Sequence, residues 1–210
     1  FSLTVFFFLI TYFLIATLKR ALLALGFSFN SPGVGLIGFL LIILNYGFNI
    51  TVTKKISIHR NDIDKLIKII TTTYAVKGGI LLILSIIFFP AVFSIPFLHE
   101  YKSIYMYAFF GLFGWLLYPQ WYFQGIQKME NITYVILVAK LLSLFSIVIL
   151  VKSELDFVLV PIINSISMII AGLLGFILLY RDFSSFKFNT NVFEIKKAFK
   201  DGSTIFFSNI

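Results

Sequence analysis

Six uninterrupted apolar runs, each near 20 residues, limit this chain more than any other feature: roughly 3–25, 33–53, 70–96, 103–124, 132–151 and 157–180, with a seventh beginning near 203. About 20 residues at 1.5 Å rise cross the hydrocarbon layer of a bilayer. In lipid every backbone N–H and C=O must be bonded within the chain. The runs are apolar all round, without the alternation of a barrel strand, so they are expected to be helices. The expected fold class is an all-α polytopic membrane protein. It divides into a six-helix transmembrane bundle over 1–180, a linker over 181–202 and the start of a seventh helix over 203–210. The chain opens on Phe1 rather than Met and stops as it turns apolar again, so it reads as the N-terminal part of something longer. Phe1 to Leu18 reads as a truncated first helix and not as a signal peptide, because no basic segment precedes it.

Composition narrows the chemistry. Of the 210 residues 60% are hydrophobic and 12% charged, and the mean hydropathy is +1.00. No cysteine is present, so disulfides and thiolate metal sites are excluded, and His59 and His99 fall in loops on opposite sides of the membrane. No metal or other cofactor is expected. A net charge of +8 would suggest nucleic acid in a soluble protein, but here it is read against the membrane surface, and no nucleic-acid partner is expected. Eleven Lys and Arg fall in the loops after the second, fourth and sixth runs and four in the others. By the positive-inside rule the first set, and the N-terminus, lie in the cytoplasm. Between Val192 and Phe199, Phe193, Ile195 and Phe199 oppose Lys196, Lys197 and Lys200, a pattern expected to lie along the membrane surface.

Apart from Lys19 and Arg20, where the first run meets its loop, two basic residues, Lys77 and Lys140, remain inside apolar runs, whereas every acidic residue falls in a loop. A charge at membrane depth marks a functional site by default, and its cheapest partner here is an anionic substrate or water. Lys77 lies near the end of its run, so its stem is expected to carry the ammonium back to the headgroups. Lys140 lies deeper and is expected to face a cavity; Arg20 is placed near the outer end of the first run, in the same lumen or at the interface. Asn45 and Asn49 with Gly38, and Asn164 with Met168, Ala171 and Gly175, share helical faces suited to packing or to substrate contact. Asp62 and Asp64 read as capping residues of the helix that follows. No phosphate-binding Gly-rich loop and no nucleophile–base arrangement is present, so no catalytic residue is assigned and a transporter is expected rather than an enzyme.

The stretch YPQWYFQGIQKMEN, residues 118–131, interrupts the fourth run. Tyr118, Trp121, Tyr122 and Phe123 fit an interfacial aromatic belt, with Pro119 bending the helix and Gly125 ending it. Gln120 and Gln124 share a face and either meet a sugar or phosphate or satisfy frayed backbone groups.

Three blocks, YGFNITVTKKI (46–56), YPQWYFQGIQKME (118–130) and KDGSTIFFSN (200–209), resemble in order and spacing those of Wzx-type O-antigen and polysaccharide flippases of the MOP (MATE-like) superfamily. The resemblance covers essentially the whole chain. It implies two lobes of six helices, of which this chain is the first, in the bacterial inner membrane. It further implies that an undecaprenyl-pyrophosphate-linked oligosaccharide moves from the cytoplasmic to the periplasmic leaflet by alternating access, coupled to a Na+ or H+ gradient. The implied partners are that lipid-linked oligosaccharide, membrane lipid and other polysaccharide assembly proteins. Cationic lumen residues are matched at Lys140, then Lys77 and Arg20. A MATE-type exporter of drugs or metabolites is the alternative and would favour buried carboxylates; a polysaccharide polymerase would need large outer loops.

Overall fold

A computed structural model of the protein describes residues 32–45, 47–153, 156, 158–183 and 191–208, and among these residues all regular structure is helical. The helices are α1 (Pro32–Asn45), α2 (Phe48–Ile58), α3 (Ile63–Ser94), α4 (Pro96–Glu100), α5 (Lys102–Leu117), α6 (Gln120–Gly125), α7 (Met129–Leu150), α8 (Leu159–Arg181) and α9 (Val192–Ser208). Among the described residues four stretches are long and apolar enough to cross a membrane: Gly35–Ile58, Ile63–Ser94, Met129–Leu150 and Leu159–Arg181. The protein is an all-α polytopic membrane protein. Its outward faces agree: Leu82, Ile83, Ile86 and Ile87 on α3 and Leu137, Leu141, Phe145 and Ile149 on α7 are exposed, a surface stable only against lipid or another apolar face. The first apolar run and Arg20 lie outside the described residues.

Two of the expected runs are not single helices. The run at 33–53 is split between α1 and α2 at Gly47, whose φ of 73° lies in the left-handed region that a side chain disfavours. The run at 103–124 is split between α5 and α6 at Tyr118 and Pro119. Proline cannot donate to the carbonyl four residues back, which here is that of Trp115. By contrast, the loop expected over 53–68 is mostly helix. Only His59–Asp62 turns, and Asp62 caps α3 by accepting from the Lys65 backbone N–H at 3.1 Å. The Lys65 side chain, then its N–H, holds the Asp62 carboxyl below the usual range, so this cap is present at neutral pH and is lost only as pH falls through that lowered value. The amphipathic segment and the apolar stretch after it form one helix, α9, with no break at residue 202. Counting apolar residues measures the lipid that a chain can cross, not where its hydrogen bonding stops.

Packing centres on α5 and α8, which run in the same direction and touch through small residues. A Cβ at Gly114 would lie 2.4 Å from the Met168 backbone, and one at Gly172 would lie 2.4 Å from the Gly114 carbonyl oxygen. Such close approach lets dispersion act between backbones where lipid gives no hydrophobic drive between helices. Ser165 lies opposite Gly111 and donates its Oγ–H to the Tyr107 carbonyl at 2.7 Å. Ser165→Ala is therefore expected to cost about 1 kcal/mol, read as a small drop in unfolding midpoint in detergent. Helix α7 packs antiparallel to α8 through Val135, Ala139 and Ala171 at one end and Ile147, Val160 and Ile163 at the other. Helix α3 lies antiparallel to α5, with Phe88 stacked on Phe109 at 4.4 Å.

Candidate functional site: a buried lysine between two helix breaks

Lys77 does not snorkel. Its side chain is among the most buried in the protein, at 1% exposure, and its Nζ donates to the Trp115 carbonyl at 3.2 Å and, at the long limit, to Asn45 Oδ1 at 3.5 Å. One turn earlier on α3, the Tyr74 hydroxyl donates to the Leu117 carbonyl at 2.9 Å. These two carbonyls are in the last turn of α5, and that of Trp115 is the one Pro119 leaves without a backbone donor. An ammonium at a helix C-terminus is also favoured by the helix dipole. Lys77 thus joins the end of α1, through Asn45, to the end of α5. The partner expected from sequence, an anion or water, is replaced by backbone oxygen.

Tyr74 escaped the sequence reading, although two signals pointed to it. It stands three residues before Lys77 on one helical face, and a proline four residues after Trp115 leaves a carbonyl to be satisfied. Its ring meets Trp121 and Phe176 edge-on at 5.6 and 5.7 Å.

The aromatic residues at 118–123 are not an interfacial belt. Tyr118, Trp121, Tyr122 and Phe123 are all buried, and Gly125 sits so close to α2 that a Cβ there would lie 2.5 Å from Ile56 Cγ2. The short helix α6 is wedged into the bundle. Thr53 Oγ1 donates to the Trp121 carbonyl at 3.2 Å, and Asp182, just past α8, accepts from the Tyr122 hydroxyl and from Lys128 Nζ, each at 2.9 Å. A hydrogen bond to a carboxylate is stronger than one between neutral groups, so Tyr122→Phe is expected to cost about 1.5–3 kcal/mol in detergent unfolding. The Trp121 indole N–H is buried without a hydrogen-bond acceptor among the described residues.

The remaining sequence-predicted residues do not converge. Lys140 lies midway along α7 on its exposed face, between the exposed Leu137 and Leu144, with no ion pair among the described residues. Gln120 and Gln124 are half-buried on α6, and Asn49 is exposed on α2. Asn164, also exposed, accepts from the Ser143 hydroxyl at 2.7 Å and so ties α8 to α7. Among the described residues of the proposed set, only Asn45 and Lys77 meet.

A cleft of about 390 Å³ opens along the first turns of α3, bounded by α2 and α9. Its lining includes Lys55, His59, Lys65, Lys68, Thr73 and Lys197.

The family described as "Polysaccharide biosynthesis protein" matches residues 1–210. Two curated relatives carry the name "Putative O-antigen transporter". The one from Escherichia coli (strain K12) is 23% identical over 171 residues, 81% of this chain and 41% of the relative. The one from Shigella dysenteriae is 29% identical over 165 residues, 75% of this chain and 40% of the relative. The chain therefore spans about two fifths of the length of these relatives. No solved structure matches it.

Proposed function

Since the chain belongs to the polysaccharide biosynthesis protein family, we propose that the intact protein is a flippase. It carries an undecaprenyl-pyrophosphate-linked oligosaccharide from the cytoplasmic to the periplasmic leaflet of the bacterial inner membrane by alternating access, coupled to a Na+ or H+ gradient. Its N-terminus and basic loops face the cytoplasm, as the positive-inside rule has it. The curated names of its relatives support a transporter of O-antigen type over an enzyme.

The observation that carries this reading is Lys140. At 1.5 Å per residue it lies about 16 Å from the start of α7, near the middle of the bilayer and too deep for its stem to reach headgroups. An ammonium exposed on an apolar face at that depth costs several kcal/mol in lipid unless it meets water or an anion. A diphosphate supplies that anion in a low-dielectric setting, where the attraction is stronger than in water. Lys77, being engaged with Trp115 and Asn45, positions the broken helices and is not a substrate contact.

Lys140→Ala in the intact protein is expected to lower surface polysaccharide and to trap lipid-linked repeat units on the cytoplasmic side, with the protein still present in the membrane. Unchanged surface polysaccharide and unchanged turnover of lipid-linked sugar would sink the assignment of Lys140. A drug-resistance phenotype with normal polysaccharide would instead indicate an exporter.

A further inference from the structure

The cleft between α2, α3 and α9 gathers more ammonium groups than carboxylates. Lys55, Lys65, Lys68 and Lys197 line it with His59, against a single lining carboxylate, Glu194. Three of the four ammonium groups are held in place by carboxylates: Lys55 by Asp201 at 2.6 Å, Lys65 by Asp62 at 2.9 Å and Lys68 by Glu194 at 3.0 Å. Two of these pairs bridge to α9, so they fasten the amphipathic helix over the cleft and orient the lysines at its rim. Lys197 is the lining lysine without an ion pair among the described residues. The floor is apolar, from Val52, Ile69 and Ala198. Ile69, Thr72 and Thr73 place the cleft where α3 passes from its charged first turns into its apolar length, the depth of lipid headgroups.

We propose that this cleft is a binding site for a phosphate-bearing anion, and that its occupant is the headgroup of an anionic phospholipid. Lys197 and the ammonium donors that Lys55, Lys65 and Lys68 keep beyond their ion pairs converge from three helices and suit the oxygens of a phosphate, which accept from many directions, better than a planar carboxylate that pairs best with a guanidinium fork. Basic pockets between membrane helices at headgroup depth take anionic lipid. A volume near 390 Å³ exceeds a bare phosphate and falls in the usual range for a small organic ligand, about 300–1,000 Å³. The proposal is separate from transport: it concerns a site at the membrane surface, and binding is read directly.

The test uses the intact protein in nanodiscs, with a fluorophore on a cysteine introduced as Lys196→Cys, an exposed position on α9 beside the cleft and outside its lining, and any cysteine elsewhere in the protein replaced. In one arm phosphatidylglycerol replaces phosphatidylcholine in the disc; in the other, inorganic phosphate is added to phosphatidylcholine discs. A saturable fluorescence change with phosphatidylglycerol is expected at half the lipid fraction, or less, that the K65Q/K197Q variant needs, and it should weaken in high salt. This variant leaves the Lys55–Asp201 and Lys68–Glu194 pairs in place, so retained α9 docking is checked by unchanged protease protection of α9. A response to inorganic phosphate alone would keep the phosphate site and overturn the lipid as its occupant. No response in either arm, or responses equal in wild type and variant, would overturn the site.

Discussion

Replacing Gly114 with leucine is expected to abolish the folded bundle. Even a bare Cβ there would meet Met168 backbone atoms at 2.4 Å and the Ile169 nitrogen at 2.6 Å, and backbone cannot swing aside as a long side chain can. Overpacking inside a core costs about 1–3 kcal/mol where neighbours can shift, and more where they cannot. Gly114→Ala should therefore lose at least about 3 kcal/mol and Gly114→Leu should yield no folded monomer on size exclusion in detergent. Gly78 supplies the contrast. Nothing lies within 4 Å of a Cβ at that position, on a helix where alanine is favoured over glycine by about 1 kcal/mol, so Gly78→Ala should be neutral or stabilising. Equal tolerance of both alanine variants would mean that α5 and α8 do not approach as described.

The second large effect is expected at Lys77. Lys77→Met keeps most of the volume but removes the donor to the Trp115 carbonyl, leaving a buried acceptor unsatisfied at a cost of about 1–3 kcal/mol. Lys77→Ala adds a cavity and should lose about 3–5 kcal/mol, measured by chemical unfolding in detergent. Pro119→Ala restores a backbone N–H four residues after Trp115, so it should recover part of the Lys77→Met loss while doing little for the wild type. Tyr74→Phe, which strips the donor from the Leu117 carbonyl, should couple to Lys77→Met by about 0.5–3 kcal/mol, because both cap one helix end. Strict additivity of the two, with no rescue by Pro119→Ala, would leave the capping account without support.

Of the two intramembrane lysines, Lys77 shows why a chain can be legible in outline and misread at one position. Hydropathy marks both as costly, and depth along the run ranks Lys140 as deeper. From depth alone Lys77 is assigned to the headgroups and Lys140 to an interior cavity. In the fold Lys77 is enclosed and Lys140 is on the exposed face. Depth is a one-dimensional quantity that a sequence carries, whereas enclosure depends on which side of a helix a neighbour covers. The aromatic residues at 118–123 follow the same rule: their amphipathic character fits a membrane interface, but α6 is clasped by α2 and by Asp182, and they are buried instead.

The sequence by itself determined that the chain lives in lipid as helices, because an apolar run near bilayer length has no other way to satisfy its backbone. It also marked the bend at Pro119, which acts on the backbone of its own segment, whereas the break at Gly47 came only with the fold. Only the tertiary structure decided what those breaks are for. Lys77 and Tyr74 reach the orphaned carbonyls of α5 across 38 and 43 residues of chain, and α9 meets the lysines of α2 and α3 across still more. Contacts of that separation depend on how helices cross, and helix crossing is set by small residues such as Gly114 and Gly172, whose spacing permits a close approach without naming its partner.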